Sequence, residues 1–204
     1  FARGYGVREI GKPEPFDTST MSAIASTTKA ITAAAMGMLV DEGKVNLDDK
    51  VIKYLPTFRV ADPYITNELR VRDLLTHTGG LGNADFLWSW TPNITSAEVM
   101  SRMQYARPAY SLRSSFIYQN IMYLAAGQVV AKVTGASWDD FIKRRIFQPL
   151  GMTSSNTSVT ALQGLEDLAT PHATVNDTVR AIPYRKIDNI APAGAINSNA
   201  VDMA

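Results

Sequence analysis

Ser26 and Lys29 are the residues of this chain whose types and spacing best suit chemistry. They stand three apart in "ASTTKAITAAAMGMLV", ahead of a segment, Ala30 to Val40, that holds only Ala, Ile, Thr, Met, Gly, Leu and Val. That composition predicts a helix apolar on every side, which belongs in a protein interior. At a spacing of three, the two side chains share one helix face, a turn apart. The serine then sits at the positive end of the helix dipole, where an alkoxide or oxyanion is favoured. An ammonium at the first turn of a buried helix is costly unless paired. Its pKa should therefore fall, which suits an amine that takes or shuttles the serine's proton. The same four residues also fit an ordinary helix start, because serine is a good N-cap.

A second cluster, Tyr118-Gln119-Asn120, stands just before another helical stretch. In extended chain, residues i and i+2 point the same way, so the phenol and the amide would face one cleft. A phenol beside an ammonium is a reasonable general base, since the cation favours the phenolate. Asn120 fits equally well as the plain N-cap of its helix.

The elements that must position these groups are mostly helical. "FARGYGVREIG" reads as a Gly-containing strand closed by a turn at Lys12-Pro13-Glu14-Pro15. The nucleophile helix is expected from about Ser26 to Glu42, with Gly43 as its stop. Short helices are expected in "NLDDKVIKYLP" and "VRDLLTH", the second stopped by Thr78-Gly79-Gly80. Residues 83–113 read as loop with one helix, Ser96 to Met103. "NIMYLAAGQVVAKVTG" is a helix with Asn120 at its cap and Gly135 past its end. "SWDDFIKRRIFQPLG" is another, with Ser137 and Asp140 at capping-box spacing. Strand-like material lies mainly at the two ends, the order produced by a helical insertion into a sheet.

Composition narrows the partners. At 46% hydrophobic and 19% charged, the 204 residues have an ordinary globular make-up. Lys plus Arg is 20 against 19 for Asp plus Glu, so no charge footprint points to nucleic acid or an anionic membrane surface. The longest apolar run falls short of the ~20 residues that span a bilayer. The chain has no cysteine, which excludes disulfides, thiolate metal sites and cysteine nucleophiles. It leaves the compartment open. With two histidines and no acidic residue at helical ligand spacing, neither metal nor cofactor is expected.

Taken together, the clusters resemble the serine β-lactamase and penicillin-binding-protein superfamily, on the side of class C β-lactamases, family VIII esterases and D-peptidases. The resemblance runs along nearly the whole chain, through "IASTTKAITAAAMGMLVDEGKVNLDDKVIKYLP", "VRDLLTHTGGLG", "IYQN", "FIKRRIFQPLGM" and "PAGAINSNAVDMA". Of the superfamily's S-x-x-K, S-D-N and K-T-G elements, the first is Ser26 to Lys29. The second takes the Y-x-N form, Tyr118 to Asn120. The resemblance implies an α/β, β-lactamase/transpeptidase-like fold, a helical domain inserted in a mainly antiparallel sheet domain. Residues 1–55 would be part of the sheet domain with the nucleophile helix, 56–190 the helical domain, and 191–204 a return to the first. It also implies an acyl-enzyme serine hydrolase, with Ser26, Lys29 and Tyr118 catalytic and Asn120 binding substrate. The substrate would be a small molecule or peptide: a β-lactam, an ester or a D-amino-acid amide. The alternative is a catalytically idle scaffold or binding module of the same fold.

Several look-alikes are set aside. His77-Thr78-Gly79 matches an H-x-G variant of the third element as a string, yet it precedes the second element, so His77 is read as structural. Lys132-Val133-Thr134-Gly135 is a helix end, and Glu166 lacks the context of a deacylating glutamate. His172 has no G-x-S-x-G to serve. Trp88 and Trp90 fit an acyl pocket or plain packing, while Arg113, Ser114 and Ser115 are expected behind Tyr118. No third element occurs before Ala204. By the resemblance, a truncated chain is expected, with pieces of the family pattern missing at both ends.

Overall fold

The computed structural model describes residues 1–90 and 93–204; residues 91–92, inside the stretch expected to be irregular, lie outside the described residues. Strand β1 (Ser22–Ala23) leads into a tight 3-10 turn, Ala25–Thr27, and then into helix α1 (Thr28–Asp41). Ala25 takes φ 46°, a left-handed conformation unusual for a residue with a Cβ. That bend turns Ser26 out to the surface at the helix mouth.

Helix α1 corrects the expectation of burial on every side. Thr28, Lys29, Thr32, Ala35, Met36 and Leu39 are buried. Ala30, Ala34, Gly37 and Asp41 are exposed, at spacings of four, three and four that trace a single stripe. The stripe is tolerable because Ala and Gly expose little apolar area, and burial free energy scales with that area.

Helices α2 (Val51–Tyr54), α3 (Pro63–Glu68), α4 (Val71–Thr76), α5 (Phe86–Ser89) and α6 (Ser96–Arg102) follow. Two of these, α3 and α5, escape the sequence reading. Asp62 nonetheless caps α3 by accepting from the Tyr64 and Ile65 amides, with Pro63 pre-set for the first helical position.

The central rod of the molecule is α7 (Asn120–Thr134), in which residues 121–127, 129 and 130 are all buried. It packs against α1, α4 and α8 (Trp138–Ile142). After α8 the chain widens into a π turn, Lys143–Phe147, where the Gln148 amide donates to the Lys143 carbonyl, and ends as α9 (Gln148–Leu150). Pro149 has no N–H to offer the Arg145 carbonyl, so the wider turn fits the sequence.

The remaining elements are short. Strands β2 (His172–Val175) and β3 (Thr178–Ala181) form a hairpin across Asn176 and Asp177, both at positive φ. The sequence reading missed this hairpin. Helix α10 (Ala191–Gly194), strand β4 (Asn197–Ser198) and helix α11 (Ala200–Met203) complete the chain. Strands β1 and β4, from opposite ends of the sequence, pair antiparallel with Ser22 opposite Ser198. The opening "FARGYGVREIG" is not the expected strand. It makes a single bridge, Val7 to Pro15, because Gly6 at φ 77° and Gly11 at φ 85° bend it out of extension.

Helix α10 reaches α1 and α7 through small residues. A Cβ on Gly127 of α7 would lie 2.2 Å from Pro192 Cγ, so glycine is what permits the contact. The buried polar side chains of α1 then face this segment. Thr32 donates to the Pro192 carbonyl at 2.8 Å, and Thr28 accepts from the Ile196 amide at 3.2 Å.

Candidate active site

Lys29 sits on the buried face of α1 and is 6% exposed, so each of its N–H directions needs an acceptor. Its Nζ lies 2.7 Å from the Ala193 carbonyl, 2.8 Å from Asn120 Oδ1 and 3.0 Å from Ser26 Oγ. Tyr118 donates its hydroxyl to the same Ser26 Oγ at 2.6 Å. The Nζ also lies over the Tyr118 ring, 4.7 Å from its centroid, and 5.5 Å from that of Tyr123. Burial pulls the Lys29 pKa below its ordinary value, against the opposing pull of Tyr118 and the Asp85 carboxylate. Serine hydroxyl, amine and phenol therefore meet at one atom.

Tyr118 and Asn120 point into the site while Gln119 between them points away, the alternation of extended chain. The Gln119 side chain is buried and donates from Nε2 to the carbonyls of Leu81 and Gly82, at 2.7 and 2.6 Å. Asn120 is the first residue of α7, not its cap; Gln119 occupies that position. The Asn120 amide is used elsewhere. Its Oδ1 accepts from Lys29, and its Nδ2 donates to Asp85 Oδ1 at 3.1 Å.

The segment bearing Tyr118 is held from behind. His77, at φ 59°, ends α4. Its Nδ1 accepts from the Gln119 amide at 3.1 Å, and its carbonyl accepts from the Ile117 amide at 3.0 Å. Its ring stacks on Tyr118, with centroids 4.6 Å apart. Burial, and then the Lys29 charge, lower the His77 pKa, so the ring stays neutral. His77 thus packs behind the phenol and lies off the nucleophile. Further along, the exposed Arg113 donates to Asp73 from Nε at 2.9 Å and from Nη2 at 2.7 Å, and to the Glu68 carbonyl at 2.8 Å. Asp73 is buried and also accepts from the Arg70 amide and the Thr78 hydroxyl.

Other candidates lie elsewhere. Trp88 donates its indole N–H to Asp85 Oδ1 at 3.0 Å and carries the Arg185 guanidinium on its ring, 5.0 Å away. Trp90 is 83% exposed. Both line a cavity of about 600 Å³ together with Ile94, Arg185 and Asn189. Glu166 accepts from Arg8 through its carbonyl and is exposed, while His172 Nε2 accepts from the Ile10 amide; neither touches the Ser26 cluster. Among the described residues, no cluster of His, Asp or Glu is placed to hold a metal ion, and no helix is long and apolar enough to cross a membrane. Two partners of the site escaped the sequence reading: Asp85 and the Ala193 carbonyl. A lone carboxylate in "GNADFLW" was the available signal for the first. A backbone carbonyl has no sequence signal.

A mainly helical body closed by antiparallel strands from both chain ends is the β-lactamase/transpeptidase-like fold. The beta-lactamase family profile matches residues 1–204, and the chain belongs to that family. It is 28% identical to the unguisins hydrolase ungD of Aspergillus violaceofuscus, over all of this chain and 38% of that protein. It is 33% identical to a putative D-alanyl-D-alanine carboxypeptidase of Escherichia coli, over 70% of this chain and 35% of the relative. The solved octameric penicillin-binding protein homologue from Pyrococcus abyssi superposes with a TM-score of 0.82 at 28% identity, over 100% of this chain and 48% of that one. The chain therefore spans less than half the length of each of these three proteins.

Proposed function

We propose that the protein is a serine hydrolase working through an acyl-enzyme on a β-lactam, an ester or a D-amino-acid amide. The observation that carries this reading is the convergence of Lys29 Nζ and Tyr118 OH on Ser26 Oγ, at 3.0 and 2.6 Å. Ser26 Oγ attacks the carbonyl carbon as its proton passes to the neutral Lys29 amine, and the new C–O bond makes a tetrahedral oxyanion. The Ser26 backbone N–H, at the start of its helix, is aimed to stabilise that charge. The oxyanion collapses, the bond to the leaving group breaks, and Tyr118 protonates the departing atom. Lys29 returns the proton to Tyr118. Water, activated by the same pair, then releases the acid. Asn120 orients Lys29 and faces the amide or ester side of the substrate. The activity named for the Escherichia coli relative supports including D-amino-acid amides in the substrate class.

The test is covalent labelling by a fluorophosphonate or a penicillin-like probe. Ser26→Ala should abolish it; an alanine variant that labels like the parent overturns the assignment. Nitrocefin, p-nitrophenyl butyrate and a D-Ala-D-Ala peptide assayed side by side then rank the three substrates.

A further inference from the structure

Within the acyl-transfer reading above, an amine serves as base only if its lone pair faces the serine, and Lys29 is rotationally free about its last bond. Two carbonyl oxygens, Ala193 O at 2.7 Å and Asn120 Oδ1 at 2.8 Å, lie in hydrogen-bond reach of Nζ. They take the two N–H bonds of a neutral amine. The remaining tetrahedral direction is then the one toward Ser26 Oγ, 3.0 Å away, and it holds the lone pair. This works only while Asn120 shows Lys29 its oxygen. With the amide turned over, Nδ2 would donate to the lone pair and take it from the serine. An amide side chain is nearly the same shape either way, so something must choose.

We propose that Asp85 makes that choice: it is a positioning residue that holds the Asn120 nitrogen outward and so aims the Lys29 lone pair at Ser26. A carboxylate can only accept, so it admits Nδ2 and refuses Oδ1; the contact is 3.1 Å. Asp85 is itself held, since its Oδ1 also accepts from the Trp88 indole at 3.0 Å and its backbone amide donates to Asn83 Oδ1 at 3.0 Å. The titratable groups around Lys29 are the Tyr118 and Tyr123 phenols, the neutral His77 ring and this carboxylate. Of these, Asp85 brings a formal negative charge, which favours the ammonium. One carboxylate therefore orients the base and restrains its loss of charge.

The experiment compares the parent, Asp85→Asn and Asp85→Ala. It reads the rate of fluorophosphonate labelling against pH and reagent concentration, with near-ultraviolet circular dichroism to confirm folding. Asparagine loses the charge and gains an N–H donor, but the Trp88 indole, which donates to the same atom as Asn120, holds its oxygen in place to accept from both. It should hold the plateau rate within about fivefold while its acid limb moves to lower pH. Alanine removes the selector, and its plateau rate should fall roughly 10–100-fold with half-saturation within about threefold. In an Asn120→Asp background both side-chain oxygens accept, so Asp85→Ala should cost no further rate. Alanine matching the parent, or asparagine losing as much as alanine, overturns the proposal. The ¹³Cε resonance of Lys29 gives an answer independent of turnover. Its titration should move down in both variants, and an unmoved titration rejects Asp85 even if the Ser26 reading has failed on its own test.

Discussion

The two halves of the site are built in opposite ways. Ser26 and Lys29 are neighbours because one turn of backbone separates them, although Ala193 and Asn120 then fix which way the amine faces. Tyr118 reaches the same serine from 92 residues away, on an extended segment with no regular structure of its own. It is placed by a relay of long-range contacts: Arg113 on Asp73, the Gln119 amide on His77, and the Gln119 side chain on Leu81 and Gly82. The contrast teaches that the nucleophile and its amine are set locally, while the phenol depends on the tertiary fold. Damage to the scaffold should therefore strike the second half first.

The sharpest break of that comparison is within the local half. Lys29→Ala should lower kcat/KM by about 10³–10⁴-fold, toward the upper end of what a lost general base costs. Its thermal midpoint should change little, because relief from burying the amine offsets the acceptors left at Ala193 and Asn120. In the parent the rate should rise with pH through a limb below the ordinary lysine value of about 10.4, because burial disfavours the ammonium.

Asp73→Ala attacks the relay without touching the site. It takes the carboxylate from the Arg113 guanidinium, the Arg70 amide and the Thr78 hydroxyl. With Arg113 partly in solvent and still donating to the Glu68 carbonyl, the change should cost about 1–2 kcal/mol in chemical denaturation. Activity should fall with it. A variant as stable as the parent would show that the phenol's segment stands without its anchor.

Tyr118→Phe keeps the stack on His77 and removes only the hydroxyl. A drop in kcat of about 10²-fold with an unchanged thermal midpoint is expected. Equal kcat would remove the phenol from the mechanism.

The smallest effect is a slope. The folded state disfavours protonated His77, so its pKa lies below the unfolded value of about 6.5. As pH falls through that unfolded value, the unfolded chain takes the proton first. Stability then declines until the folded pKa is passed. His77→Leu should flatten this part of the stability–pH curve relative to the parent.

The legible features were those that depend on nearest neighbours. The helices α1, α7 and α8 showed in apolar runs and caps, and the i, i+2 alternation placed Tyr118 and Asn120 on one side of their strand-like segment. Among helices of four to six residues, α2 and α4 showed and α3 and α5 did not, since over so few residues no period emerges and only flanking stop signals such as Pro56 and Gly79-Gly80 mark the element. The opening segment misled because its alternation resembles a strand, while Gly6 and Gly11 bend it. Helix α1 misled in a different way. A run without polar residues implies burial, yet its small residues leave one stripe exposed at little cost.

Asp85 and the Ala193 carbonyl show where sequence reasoning stops. The chain by itself determined that a hydroxyl and an amine would stand one turn apart, since helical pitch is a property of the backbone alone. It determined equally that a phenol and an amide would share a side. Only the tertiary structure decided that these pairs meet, which acceptors surround the amine and which way an amide is turned. Those outcomes depend on contacts between residues tens of positions apart, and no local periodicity encodes them.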